Sequence, residues 1–463
     1  MDPGDGRGPT SPWSLSERLV PRRLLRPLQD FLHLEASGGI VLLVASVAAL
    51  IWANASPESY ADLWDAPLQL RIGDWELEET VRYMVNDGLM ALFFLVIGLE
   101  VKRELTIGEL SDRRAALLPL FAAVGGMVLP AGIFLAVMGG ADGSNGWGIP
   151  MATDVAFALG ALAALGSRVP PALVAFLLGV AVIDDIGAIL VVALFYSDAL
   201  NYGWLALAVG GLALIWLLQR IGVRYMGTYV VLGLVVWFAT FESGVHATIA
   251  GVALGLLTPV RPFEPASVVS REAYAIADAT ADEPANPDED ANQWRRLSWL
   301  AREAISPLNR VQHGLHQWSS FVVLPIFALA NAGIVLDQAA LDAATETNVA
   351  LAIALGLVLG KTLGLTAGAA LAIRLGLSRL PRGVGWMQIV GVGAVAGIGF
   401  TVALFISGLA YGDSPLLAAA KIGVFGGSIV AAILGIALLL AAGRRAAPAP
   451  PVPAGERAAE PIR

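Results

Sequence analysis

Apolar residues run through this chain in long continuous blocks, and short polar breaks separate one block from the next. About twelve windows approach the roughly 20 apolar residues that a membrane-crossing helix needs. They are 39–55, 85–104, 115–138, 147–166, 171–196, 203–219, 226–240, 244–258, 319–335, 349–373, 388–411 and 418–442, of which 39–55, 226–240 and 244–258 are short for a crossing. A strand barrel would alternate apolar and polar positions, and within lipid only helices satisfy their own backbone groups without closing a barrel. The expected fold class is therefore an all-α polytopic membrane protein with about twelve transmembrane helices. Composition agrees: of 463 residues 57% are hydrophobic and only 14% charged, with a mean hydropathy of +0.70, values typical of membrane chains.

Polar stretches divide the blocks. The expected organisation is a cytoplasmic N-terminal segment (1–34), eight membrane helices (35–262), an acidic, flexible cytoplasmic insert (263–299), four more helices (300–443) and a disordered tail (444–463). Phe263–Trp299 is rich in Glu, Asp, Ala, Asn and Pro without a sustained apolar period, hence its reading as a linker. Met1–Leu34 is polar and then basic, which does not resemble a cleavable signal peptide. Around Gly73-Asp74, Leu68–Leu77 alternates apolar and polar, predicting an external hairpin near 67–78 whose edge can pair with a second copy to form a homodimer. The chain has no Cys, so disulfides, thiol catalysis and Cys-based zinc sites are excluded.

Arg18, Arg22, Arg23 and Arg26 precede the first window, and Arg103, Arg113, Arg114, Arg220, Arg224, Arg374, Arg379, Arg382, Arg444 and Arg445 cluster after alternate ones. The intervening loops hold Asp198, Asp337, Asp342 and Asp413, with Arg71 and Arg82 as exceptions. The positive-inside rule then places both termini in the cytoplasm.

Two windows are interrupted. The fourth carries Pro150, Thr153 and Asp154, and the eleventh carries Gly391, Gly393, Gly397, Gly399 and Thr401. Each is the middle of a trio, spans three to five and ten to twelve, and the trios run in opposite directions. Broken helices at matching places in inverted repeats point to a transporter's midplane site. Close packing through small residues explains the glycines equally well, but not Thr153-Asp154.

Asp184 and Asp185 lie midway along Pro170–Tyr196, whose other residues between Ala172 and Phe195 are apolar or Gly. An ionisable group at the bilayer centre costs about 2.5–3.5 kcal/mol even on insertion scales, so two together imply a bound ion, a proton or a countercharge. Lys361, inside Leu351–Arg374, supplies the matching cation. Adjacent helical residues point about 100° apart, so one aspartate can meet the lysine while the other meets an ion. Protons and a hard cation such as sodium compete for the same carboxylate oxygens, and that competition is a mechanism of exchange. Convergent ends of broken helices add partial charges that Asp154 and Lys361 would compensate.

The chain resembles the NhaA family of sodium/proton antiporters in Val85–Met90 (VNDGLM), Gly98–Leu105 (GLEVKREL), Ala152–Ala158 (ATDVAFA), Gly166–Pro170 (GSRVP), Ile183–Ala188 (IDDIGA), Ser243–Thr248 (SGVHAT), Phe327–Gly333 (FALANAG) and Gly397–Thr401 (GIGFT). The similarity runs from about Phe31 to Gly443, broken by the acidic insert. The resemblance implies a bacterial inner-membrane antiporter that expels one sodium or lithium for two entering protons, regulated by pH and built as twelve helices in inverted repeats. It implies that Asp184 and Asp185 bind the cation and the proton with Thr153 and Asp154 nearby, and that Lys361 pairs with Asp184. By the same resemblance Asp87 is an accessory carboxylate at the external end of span two. Glu100, Arg103 and Glu104, at i, i+3 and i+4 on one helix face, match a cytoplasmic funnel, and His313 and His316 a pH-responsive pair. Unperturbed histidine titrates at about pH 6.5, which suits a sensor; the spacing also permits a metal site, for which further ligands are lacking. His246 reads as a hydrogen-bonded structural histidine. Gln312 stands where the family has Glu and Thr362 where it has Pro; the first bears on pH response and the second on local helix geometry.

The motifs call for no enzymatic activity, organic cofactor or nucleic acid; the expected partners are sodium or lithium, protons and the lipid bilayer. Two rivals are a cation-coupled symporter of an organic substrate and an intramembrane aspartyl protease. The first needs a polar or aromatic pocket, the second two aspartates on separate helices facing one water.

Overall fold

A computed structural model describes residues 37–72, 75–197, 200–281, 287–412 and 414–443. The expected N-terminal segment, the C-terminal tail and the Gly73-Asp74 turn lie outside them. In chain order the elements are α1 (Ser37–Ala55), α2 (Pro57–Trp64), β1 (Pro67–Ile72), β2 (Trp75–Thr80) and α3 (Val81–Thr106), then α4 (Arg113–Met138), α5 (Val155–Leu165), α6 (Pro171–Phe195), α7 (Tyr202–Arg220), α8 (Met226–Glu242) and α9 (Thr248–Leu257). There follow α10 (Ala266–Ala281), α11 (Pro287–Glu303), α12 (Pro307–Trp318), α13 (Leu324–Asn331), α14 (Gln338–Glu346), α15 (Val349–Arg374), α16 (Trp386–Val395), α17 (Phe400–Tyr411) and α18 (Leu416–Gly443).

Among the described residues eight helices are long and apolar enough to cross a membrane, or nine if α16 and α17, bent by 48° at their junction, are one span. Two shorter apolar helices, α8 and α9, occupy the seventh and eighth windows. At 10 residues and about 1.5 Å rise per residue, α9 is too short to cross alone. The ninth window was expected at 319–335. Instead, the helix begins at Pro307, where Ser306 accepts a cap bond from Asn309 N, and runs through a π turn at Ser319–Val323 into α13, which stops at Asn331. Its first stretch, α12, is amphipathic and polar; the apolar part starts near Ser319.

Glycines set the helix spacing. A Cβ on Gly125 of α4 would sit 2.2 Å from the carbonyl oxygen of Gly364 on α15, and one on Gly368 would sit 2.0 Å from that of Phe121. The two helices therefore cross backbone to backbone, the usual means of close association without a hydrophobic driving force. Gly98 on α3 and Gly251 and Gly255 on α9 make a second such crossing. Val128, Leu194, Val231 and Ile433 point outward, as residues in contact with lipid must.

β1 and β2 pair antiparallel, with Leu68 opposite Glu79 and Leu70 opposite Leu77, forming the hairpin that the alternation predicted. The expected linker at 263–299 differs: its described residues form α10 and most of α11. Among their described side chains the buried apolar ones are Ile276 and Leu300, and no long apolar period marks these helices in the sequence.

Candidate ion-binding site

The fourth span is a 3-10 turn at Ser144–Met151, an extended stretch through Ala152, Thr153 and Asp154, and then α5. The break between α16 and α17 lies against it. Asp154 N donates to Ile398 O at 2.6 Å, while Asp154 Oδ2 accepts from Thr401 N at 3.0 Å and Thr401 Oγ1 at 2.5 Å. Asp154 Oδ1 accepts from Phe157 N at 3.2 Å, capping α5. One carboxylate thus serves the N-terminal turns of α5 and α17, where the helix dipoles favour negative charge. A Cβ on Gly397 would lie 2.3 Å from Leu357 O and one on Gly399 3.1 Å from Ala152 O; the break is glycine-rich because backbone passes there.

Asp184 and Asp185 occupy the middle of α6, and their surroundings differ. Asp184 Oδ2 accepts from Lys361 Nζ at 2.5 Å and lies 2.8 Å from Thr153 Oγ1. The Asp184 and Lys361 side chains are both wholly buried, at 0% exposure. Thr153 Oγ1 is also 2.9 Å from Ala396 O, and with one proton it donates to only one of the two acceptors at a time. Asp184 Oδ1 has no hydrogen-bond partner. A buried carboxylate oxygen without a donor is costly, and it is free to coordinate.

Asp185 points the other way, into a cavity of about 10 Å³ lined also by Phe94, Val192, Thr248, Val402 and Phe405. That is room for about one water-sized occupant. Lys361 follows a π turn at Gly356–Gly360, and a Cβ on Gly126 of α4 would be 3.8 Å from its Cδ. The π turn shifts the helix register just before the lysine. Such bulges recur at functional sites, and a second one, Val85–Leu89, contains Asp87.

The other sequence-predicted residues fall into two places. Asp87 is buried; its Oδ1 accepts from Ala247 N at 3.3 Å and its carbonyl from Trp237 Nε1 at 3.0 Å. His246 beside it has Nε2 2.7 Å from Tyr196 O, a hydrogen bond that requires the proton on that nitrogen. At the other end of α3, Glu100 accepts a hydrogen bond from the Gln312 side chain, and its Oε1 lies 3.9 Å from His316 Nδ1. Arg103 and His313 are exposed near them, and Glu104 lines an open surface cleft with Ile107, Gly108, Asp112 and Ala115. No group of three His, Cys, Asp or Glu side chains able to hold a metal ion occurs among the described residues.

In the sequence Thr401 was legible only as part of the broken helix and of the Gly397–Thr401 motif, Thr248 and Tyr196 only as the ends of a motif and of a span, and Ala396 not at all. Thr401 in Gly-Ile-Gly-Phe-Thr had a detectable signal, a hydroxyl after glycines inside an apolar window. The rest act through backbone atoms or as cavity walls and leave none.

Comparison with known proteins bears on what this arrangement does. The family described as Na+/H+ antiporter 1 matches residues 29–439. A protein of Myxococcus xanthus named Na(+)/H(+) antiporter NhaA 2 is 45% identical over 440 residues, 94% of this chain and 93% of its own. The Na(+)/H(+) antiporter NhaA of Rhodopirellula baltica is 46% identical over 425 residues, 90% of this chain and 94% of its own.

Proposed function

The chain belongs to the Na+/H+ antiporter 1 family, and from that premise we propose that it exports sodium from a bacterial cell in exchange for entering protons, with Asp184 and Asp185 as the shared site. The observation that carries the assignment is the divided coordination of Asp184: one oxygen on Lys361 and Thr153, the other bare. Asp184 Oδ1, the Asp185 carboxylate, Thr153 Oγ1 and the carbonyl of Ala396 are hard oxygens of the type that sodium and the smaller lithium ion take. No organic cofactor enters the scheme.

When sodium enters, both carboxylates must be ionised, so Asp185 gives up its proton. Sodium then replaces Lys361 on Asp184. An ammonium stripped of its carboxylate in this interior is costly, and Lys361 releases a second proton. Return of the empty site takes up two protons, one on Asp185 and one on Lys361 as it rejoins Asp184. Two protons move in for one sodium out, a net transfer of one positive charge. Alternating access follows from movement of the crossed breaks at Asp154 and Ile398, which hold both halves of the site.

Arginine placement supports an inner-membrane orientation with both termini in the cytoplasm, which puts Glu100, Arg103, Glu104, Gln312, His313 and His316 at the cytoplasmic mouth as a funnel and pH-responsive cluster. The β1–β2 edge is suited to pairing with a second copy. Sedimentation at monomer mass is expected for a variant lacking Pro67–Thr80, and an unchanged dimer would refute that role. A symporter of an organic substrate is disfavoured by the size of the Asp185 cavity, and protease chemistry by the two aspartates being neighbours on one helix, with Asp184 paired to Lys361.

Everted vesicles test the activity. Sodium and lithium should each collapse an imposed pH gradient, whereas potassium should not; a gradient indifferent to sodium would refute it.

A further inference from the structure

The α10–α11 segment between the eighth and ninth membrane regions has an inner and an outer side. On the inner side Ile276 and Leu300 are buried, and Arg296 pairs with Glu272 at 3.1 Å. Its root is clamped by the buried Glu303, whose carboxylate lies 3.3 Å from Arg310 and 3.5 Å from Arg224. The carbonyl of Glu303 accepts from Phe263 N at 3.1 Å and Glu264 N at 3.2 Å. The segment is thereby fixed against the start of α12 and the turn between α7 and α8.

The outer side of α11 carries a different set. At about 100° per residue, Trp294, Ser298, Arg302, Arg295 and Trp299 fall in that angular order within an arc of about 140°. All five are exposed, the two indoles by half of their surface, 50% and 51%. Two tryptophans therefore flank two arginines on one face. Indoles settle at headgroup level and guanidinium groups bind phosphate oxygens bidentately, so this is the composition of a membrane–water interface. Position agrees with composition. α11 leads within a few residues into the helix that becomes the ninth membrane segment, and Ile305 and Trp318, on that path, are also exposed. Charge is segregated along the sequence as well: Asp282, Glu283, Asp288, Glu289 and Asp290 cluster around the join of α10 and α11, whereas Arg295, Arg296, Arg302 and Arg310 lie toward the membrane entry.

We propose that this face of α11 rests on the membrane surface and binds anionic phospholipid headgroups, with Arg295 and Arg302 on the phosphates and Trp294 and Trp299 at headgroup depth. Each arginine near an anionic surface strengthens the contact about fivefold, and the pair roughly 25-fold, in proportion to the surface potential. Added salt weakens it.

The chain has no cysteine, so Ser298→Cys in the full-length protein is a unique labelling site within the arc, between Trp294 and Arg302, and Ser270→Cys on α10, also exposed, is its control. Each is spin-labelled in lipid nanodiscs of phosphatidylcholine alone or with phosphatidylglycerol, and its collision rates with a water-soluble and a lipid-soluble relaxant are measured. The expected result is a several-fold fall in aqueous accessibility at position 298 in the anionic nanodiscs only, reversed by Arg295→Gln with Arg302→Gln and by high salt, while position 270 stays water-exposed. Equal aqueous accessibility in both lipids, or protection that survives loss of both arginines, would overturn the proposal. Protection that develops only on addition of a cytosolic protein fraction would assign the face to a protein partner and overturn it equally.

Discussion

Asp184 and Asp185 are neighbours in sequence and differ in what surrounds them. Asp184 is tied to Lys361 and Thr153; Asp185 faces the small cavity. Asp185→Asn should abolish sodium-dependent proton movement in everted vesicles while protein still reaches the membrane, because an amide offers oxygen but cannot cycle a proton. Asp184→Asn should likewise end electrogenic transport; near-normal exchange in either variant would contradict the assignment. Lys361→Ala leaves a buried carboxylate with Thr153 alone. Breaking a buried pair costs about 3–5 kcal/mol, so the melting temperature of the purified variant should fall and its sodium affinity shift; wild-type values for both would show the pairing to be idle. These three charges were legible in the sequence because ionisable residues stand out in apolar windows. The division of labour was only partly so. Spacing alone showed that two adjacent aspartates diverge, but the bare oxygen of Asp184 and the shared hydroxyl of Thr153 depend on where broken backbones cross, and sequence periodicity does not encode that.

The elements that hold the site depend on backbone approach. A Cβ on Gly125 would meet Gly364 O at 2.2 Å, whereas one on Gly132 of the same helix meets nothing within 4 Å. Gly125→Ala should therefore force α4 from α15, destabilise the protein by about 1–3 kcal/mol as overpacking does, and reduce transport by displacing Lys361. Gly132→Ala should leave melting and transport unchanged. Equal behaviour of the two variants would show that the crossing does not position the lysine. Both interrupted helices could be read from Pro150, Thr153 and Asp154 and from the glycines of 391–399. The π turns before Lys361 and around Asp87 could not, since one extra residue in a turn leaves no mark on composition. The α10–α11 pair was missed for a related reason: helices held by a few buried side chains and the Glu303 ion pairs show no apolar period.

Across the whole molecule, the proposed function joins the candidate ion site on α6 and the cluster at the Glu100 end of α3 in one transport cycle. The surrounding protein desolvates His316, and His313 one turn away adds a like charge, so the His316 imidazole is held below its ordinary value. A lowered value means that its positive charge is lost at lower pH, so transport that follows this loss should already rise near neutral pH. Gln312→Glu puts a carboxylate beside Glu100 in place of the amide, favours the imidazolium and should move the activation curve alkaline; superimposed curves at limiting and saturating sodium would refute the link. Saturating sodium separates this effect from direct competition at the aspartates, which it suppresses. That competition is the central claim, and it is tested most directly by equilibrium binding of radioactive sodium to the purified protein as a function of pH. Each proton displaced by sodium weakens apparent affinity about tenfold per pH unit as pH falls through the titrating range. The account predicts such a loss, with proton release into unbuffered solution on sodium addition, and abolition of both by Asp184→Asn with Asp185→Asn; sodium affinity that is independent of pH, with no proton released, would contradict it.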